Sequence, residues 1–142
     1  MLPKLKVLFV CTGNACRSQM AEGWARKLRG DRLDPYSAGT SPSRVDPRAI
    51  LVMREAGVDL SRHRSKHVQE VIGVEFDAVV TVCDRANENC PVFPGKGKRL
   101  HVGFDDPPRL AAGAVSEDEA IGHYRRVRDE IRAFVETLPG SL

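Results

Sequence analysis

The period of the hydrophobic positions changes several times along the chain, and each change marks an element. Leu5 to Val10 is a short apolar run, the pattern of a strand buried on both faces. From Ser18 to Leu28 the period becomes helical. Ala21, Trp24, Ala25 and Leu28 fall on one face, Arg26, Lys27 and Arg29 fall elsewhere, and Gly30 supplies a stop. Leu33 to Ala38 reads as a weaker strand. In "VDPRAILVMREAG", Asp46 is an N-cap, Pro47 takes the first helical position and Gly57 follows the end. "FDAVVTVC" is a second buried strand ending at Cys83, and "KRLHVGF" is a fourth strand. The last helix opens on the capping box Ser116-x-x-Glu119. Its stripe is Ala120, Tyr124, Val127, Ile131, Phe134 and Leu138.

The order β-α-β-α-β-loop-β-α predicts an α/β fold. It is a single three-layer domain over 1–142, with a four-stranded parallel sheet flanked by helices on both faces. Such sheets bind ligands beyond the carboxyl ends of their strands. Cys11 and Cys83 sit at two such ends, so neighbouring strands would bring both thiols to one crevice.

Composition narrows the function classes. The 142 residues are 42% hydrophobic and 29% charged, ordinary for a globular domain that needs no disulfide or metal to hold its core. The net charge of +3 is too small and dispersed for a nucleic-acid partner, and mildly favours an anionic substrate. No apolar run approaches the roughly 18 residues of a membrane span. "MLPKLK" leads straight into the first strand without a signal-peptide pattern. The expectation is a cytoplasmic monomer with reduced thiols and no membrane or nucleic-acid partner.

The chemistry concentrates in "VLFVCTGNACRS", residues 7–18. A loop running from a strand into a helix aims several backbone N–H groups at one point, and the helix N-terminus adds partial positive charge. Gly13 tolerates backbone conformations that a side chain resists. Arg17 can fork two N–H donors onto two oxygens. Thr12, Gly13, Asn14, Ala15, Cys16, Arg17 and Ser18 thus make a cradle for a tetrahedral dianion such as phosphate, arsenate or sulfate. Cys11 points into it. The same field should bring its thiol down from about 8.5 into the 3.5–7.5 range of reactive cysteines, with Ser18 donating to the thiolate. There is neither a G-x-x-x-x-G-K-[ST] loop nor a G-x-G-x-x-G fingerprint, so nucleotide binding has no support. Cys followed six positions later by Arg is common by chance, and its place between strand and helix is what gives it weight.

The stretch "CTGNACRSQMAEGW" resembles the active-site loop of the low-molecular-weight protein tyrosine phosphatase superfamily, and more closely the thioredoxin-coupled arsenate reductases built on that fold. The resemblance extends over "YSAGT" at 36–40, "VVTVCDRANENCP" at 79–91, "GFDDP" at 103–107 and "YRRVRDEI" at 124–131. It implies a phosphatase-like Cys-x5-Arg loop in which Cys11 is the nucleophile and Arg17 binds the oxyanion. It also implies that Asp106, just before the proline, is the general acid, with Asp105 the neighbouring candidate and more simply a turn residue.

Reducing arsenate needs more than this. The thiolate–arsenic adduct must be attacked at sulfur by a second thiol, which leaves two electrons on arsenic and closes Cys11–Cys83. Cys90 can then attack Cys83 and free Cys11, and thioredoxin resets the pair as the external reductant. If 83–90 is helical when reduced, its ends are roughly 10 Å apart. A disulfide needs about 4.4–6.8 Å, so "DRANEN" would have to unwind. Zinc fits the cysteine spacings poorly, and histidines 63, 67, 101 and 123 show no metal constellation. No bound metal is expected. Cys16 either protects Cys11 reversibly or packs the loop.

Two departures from the family pattern matter. Many members hold potassium through residues matching Asn14, Glu22, Ser37 and an aspartate, where this chain has Lys66. Lys66 therefore puts potassium in doubt. It is either an ammonium beside Glu22 or a solvated lysine. Pro108 and Arg109 stand where the phosphatases carry an aromatic pair. The alternatives to arsenate reduction are a tyrosine phosphatase with incidental cysteines and a non-catalytic oxyanion or redox sensor.

Overall fold

The computed structural model describes residues 3–84, 93 and 95–142. Four strands form one sheet: β1 (Leu5–Cys11), β2 (Leu33–Gly39), β3 (Ala78–Thr81) and β4 (Lys98–His101). Their order is β2-β1-β3-β4, and every pairing is parallel. The four helices are α1 (Arg17–Arg29), α2 (Pro47–Glu55), α3 (Pro107–Ala112) and α4 (Glu117–Val135). A 3-10 turn covers Val68–Val71.

β1 is central, and its alternate residues enter different layers. Val7, Phe9 and Cys11 join a core with Trp24 of α1, Met53 of α2 and Ile131 of α4. Leu8 and Val10 point the other way, into a smaller cluster with Ala38, Val71, Phe76 and Phe93. Three helices therefore cover one face. Among the described residues, the 3-10 turn and edge-stacked Tyr36, Phe76 and Phe93 cover the other. That second layer is thinner than the helical alternation suggests, because the chain between α2 and β3 runs through turns and one short 3-10 helix and forms no α-helix.

The local signals act as read, with adjustments. Asp46 caps α2 by accepting from the Arg48 amide at 2.9 Å. Ser116 accepts from the Glu119 amide at 3.1 Å, but the Glu119 carboxylate reaches past the cap to the Val115 amide at 2.8 Å. β3 stops at Thr81, two residues before Cys83. The first turn of α1 is buried all round, polar Arg17, Ser18, Gln19 and Glu22 included, so its amphipathic stripe is not what fixes its start.

The topology also sets where chemistry can occur. β1 and β3 are neighbours, with Val10 opposite Thr81 and the Val82 amide donating to Val10 O at 3.0 Å. Cys11 and Cys83 therefore leave the same end of adjacent strands.

Candidate active site

Beyond β1 the chain turns through residues 12–16 into α1 around a crevice of about 330 Å³. Cys11, Thr12, Gly13, Ala15, Cys16 and Arg17 line it from the loop, and Asp106, Pro108 and Arg109 line it from the start of α3. No side chain caps α1, and its first turn holds no acidic residue, so nothing within the helix itself offsets the positive end that faces the loop.

The loop lies hard against β2. A Cβ on Gly39 would fall 2.3 Å from Thr12 O and 2.9 Å from both Asn14 N and Cys11 O. Ser41 and Ser43 amides donate to Thr12 O and Gly13 O at 2.9 and 3.2 Å, and the Asp46 amide donates to Ala15 O at 2.9 Å. Asn14 adopts a left-handed φ of 47°. Its Nδ2 donates to Ser18 Oγ at 2.8 Å, and Ser18 Oγ lies 2.9 Å from Cys11 Sγ. Ser18 thus reaches the sulfur, and Asn14 holds the loop through its side chain.

Arg17, 5% exposed, donates from Nη1 to Phe104 O at 3.0 Å, and its Nη2 lies 3.6 Å from Asp106 Oδ1. The loop arginine and the acid candidate therefore meet in one crevice. Asp105 is drawn instead to Arg126 of α4 at 2.9 Å and is more than half exposed. The structure separates two aspartates that the sequence leaves adjacent.

Cys16 belongs to the core at 4% exposed. Burial, then the nearby Asp46 charge, pushes its thiol well above the ordinary value, so it stays protonated and inert. That favours packing over protection. Cys83 is fully buried and disulfide-bonded, while Cys11 and Cys16 are free. Cys83 is not among the described residues lining the crevice. Cys90, the helical reading of 83–90 and its unwinding lie outside the described residues.

Lys66 points inward. Its Nζ lies 3.9 Å from Glu22 Oε1 and donates to Arg64 O at 3.2 Å. Burial lowers its pKa against the opposing pull of Glu22. Glu22, 7% exposed, also accepts from Ser37 Oγ at 2.6 Å and from Arg26 at 3.1 Å. The ammonium beside Glu22, rather than a solvated lysine, is what the structure contains. Among the described residues no group of three His, Cys, Asp or Glu side chains is arranged to hold a metal ion, and no helix is long and apolar enough to cross a membrane.

Sequence reasoning passed over Gln19 and Ser65, both of which brace Asn14. It quoted Gly39 without its steric reason. Nothing periodic marks these residues: the partners of Ser65 and Gly39 are distant in sequence, and Gln19 meets Asn14 five positions away only through the turn of the loop.

Comparison with known proteins places this geometry in context. Residues 6–142 match the family model for low molecular weight phosphotyrosine protein phosphatase. Arsenate reductase 2 of Staphylococcus epidermidis is 44% identical over 136 residues, covering 96% of this chain and 97% of that relative. A solved arsenate reductase in the phosphate-binding state superposes with a TM-score of 0.79 at 31% identity, covering 96% of this chain and 98% of that one. A thioredoxin-dependent arsenate reductase of Corynebacterium glutamicum superposes with a TM-score of 0.64 at 27% identity, covering 99% of this chain and 64% of that one.

Proposed function

This chain belongs to the low molecular weight phosphotyrosine protein phosphatase family, and we propose that it is an arsenate reductase that passes its oxidising equivalents through Cys11, Cys83 and Cys90 to thioredoxin. The observation that carries this reading is the pairing of β1 with β3, which sends a free Cys11 and a disulfide-bonded Cys83 from the same sheet edge. A hydrolase needs only the first of these cysteines.

The steps follow from the site. Arsenate enters the cradle, held by Arg17 and the loop amides of residues 12–18. Cys11 attacks arsenic and an arsenate oxygen leaves as water, its proton supplied by Asp106. The thiolate of Cys83 then attacks Cys11 sulfur. The S–As bond breaks with its electron pair on arsenic, which departs as arsenite, and Cys11–Cys83 closes. Cys90 attacks Cys83, Cys11 leaves as thiolate, and a thioredoxin dithiol reduces Cys83–Cys90. The free Cys11 beside an oxidised Cys83 fits the state awaiting thioredoxin. The relay needs a reducing compartment, which is why we assign the enzyme to the cytoplasm.

Lys66 supplies a fixed positive charge at Glu22, so we assign no potassium to this site. Phosphate and sulfate enter the same cradle, and slow phosphate-ester cleavage is expected because the cradle reads a tetrahedral dianion rather than arsenic. Disulfide mapping tests the relay. Reduced Cys90→Ser given one equivalent of arsenate should accumulate Cys11–Cys83 and one equivalent of arsenite. Arsenite release without that disulfide would exclude Cys83 as the second thiol.

A further inference from the structure

The buried polar groups behind Cys11 form one continuous chain with a direction. The Lys66 main-chain N–H can only donate, and it lies 2.8 Å from Asn14 Oδ1. That fixes the Asn14 amide, so its Nδ2 is the atom facing Ser18 Oγ. A hydroxyl that accepts from Nδ2 has its own hydrogen available for Cys11 sulfur.

Gln19 is fixed by the same logic. Its Nε2 sits 3.1 Å from Asn14 O and 3.0 Å from Arg64 O, both carbonyls that can only accept. The same Nε2 is 3.0 Å from Asn14 Oδ1. Gln19 Oε1 is therefore the acceptor facing His63 Nδ1 at 2.9 Å, and that nitrogen carries a hydrogen. Four hydrogen bonds thus run His63 to Gln19 to Asn14 to Ser18 to Cys11, and every donor points toward the sulfur. Gln19, Asn14 and Ser18 are wholly buried, so water does not screen the alignment. Aligned amides in a low-dielectric interior polarise one another in the sense that stabilises negative charge at the accepting end.

We infer that Gln19 is a positioning residue for the nucleophile, bridging both oxygens of Asn14 so that the left-handed loop keeps the Asn14–Ser18 donor line aimed at Cys11. Gln19 does not line the crevice, and its hydrogen-bond partners are Asn14, Arg64 and His63. Its amide nitrogen carries two hydrogens for three acceptors, Asn14 O, Asn14 Oδ1 and Arg64 O, so one hydrogen is shared, and the nitrogen joins Asn14 main chain and side chain to the 63–66 segment. Ser65 Oγ adds a second donor to Asn14 O at 2.7 Å, and the Lys66 amide adds one to Oδ1. Gln19 is the one of these three groups that contacts both oxygens. The inference rests on Cys11 being the nucleophile of the proposed reaction, but its test does not use arsenate turnover.

The test follows alkylation of Cys11 by iodoacetamide against pH in the reduced full-length chain, with Cys11 quantified by peptide mass spectrometry. Gln19→Met keeps length and removes the donor. It should move the half-maximal pH of alkylation upward by about half to one unit, so that alkylation below that pH slows about 3- to 10-fold. Gln19→His retains an N–H at similar reach and should restore most of the wild-type profile. General loss of stability lowers the unfolding temperature but does not move this midpoint. A folded Gln19→Met with a profile superimposed on wild type overturns the inference. If Gln19→Met does not fold, His63→Phe removes the first donor at the partly exposed end. A smaller upward shift there supports the inference, and no shift overturns it. An altered profile in a chain that never reduces arsenate would leave the positioning role standing and remove the proposed function instead.

Discussion

Gly39→Ala should disable the enzyme from outside the crevice. Gly39 ends β2, and its φ is not positive, so the argument is steric. The new methyl would lie 2.3 Å from Thr12 O, with Asn14 N and Cys11 O each at 2.9 Å. An unstrained contact is about 3.5 Å, so Thr12 O must retreat by roughly 1.2 Å. All three atoms are backbone, one of them on Cys11 itself and one on its neighbour Thr12, so no flexible side chain can absorb the move. Overpacking of this kind costs about 1–3 kcal/mol of stability. In a chain of 142 residues that lowers the unfolding temperature by roughly 3–10 °C. A displacement near 1 Å at the reacting groups costs about 100-fold in rate. The assay pairs kcat/KM for arsenate with thermal unfolding. Gly122→Ala, in α4 with nothing within 4 Å of its Cβ, is the control. It should raise stability by about 0.5–1 kcal/mol and leave turnover unchanged. Wild-type kcat/KM in Gly39→Ala would refute the claim that close approach of β2 shapes the loop.

Other outcomes follow from the same geometry. Asp106→Asn should lower kcat about 10²- to 10⁴-fold in steady-state turnover. Asp105→Asn, which breaks only an exposed pair with Arg126, should change stability by less than about 1 kcal/mol and leave kcat as it is. His63 is held below its ordinary 6.5 chiefly by burial, against the pull of Glu22. The unfolded chain therefore takes up that proton first as pH falls. Thermal stability should decline from about pH 6.5 downward until folded His63 itself protonates. His63→Phe should flatten that part of the stability–pH curve. Exchanging sodium chloride for potassium chloride should leave wild-type kcat and KM unchanged. Lys66→Ala, which strips the ammonium from Glu22, should make them cation-dependent.

Much of the fold was legible because its signals are local. The apolar run of β1, Asp46-Pro47 before α2 and Ser116 before α4 each act within a few residues. The parallel order follows from alternation, and it puts Cys11 and Cys83 at the carboxyl ends of their strands; that these strands are neighbours is added by the fold. α3 is not legible in the hydrophobic pattern although Pro107 and Pro108 carry a helix-start signal, because six residues are too few for periodicity to register. The inner layer of the site was less legible. Asn14 is held by Gln19, Ser65 and the Lys66 amide, and the last two lie about fifty positions away. Only packing of the 63–67 segment against the loop brings them there. The choice of Asp106 over Asp105 likewise depends on Arg126, a helix away.

The site departs from a plain phosphatase in one direction. Its crevice gathers Cys11, Arg17 and Asp106, the residues proposed to serve an oxyanion and a leaving oxygen, and the chain just beyond the neighbouring strand adds Cys83, which hydrolysis does not use. The Pro108–Arg109 rim presents no aromatic face to a bulky ester. Those differences are chemical, and they point to redox turnover.

The most direct test of that claim is NADPH consumption with arsenate, thioredoxin and thioredoxin reductase, comparing wild type with Cys83→Ser and Cys90→Ser. Sustained consumption by wild type, with both variants stalling after at most one round, is the predicted result. Continued arsenate turnover in Cys83→Ser, or none in wild type beside intact p-nitrophenyl phosphate cleavage, would contradict it.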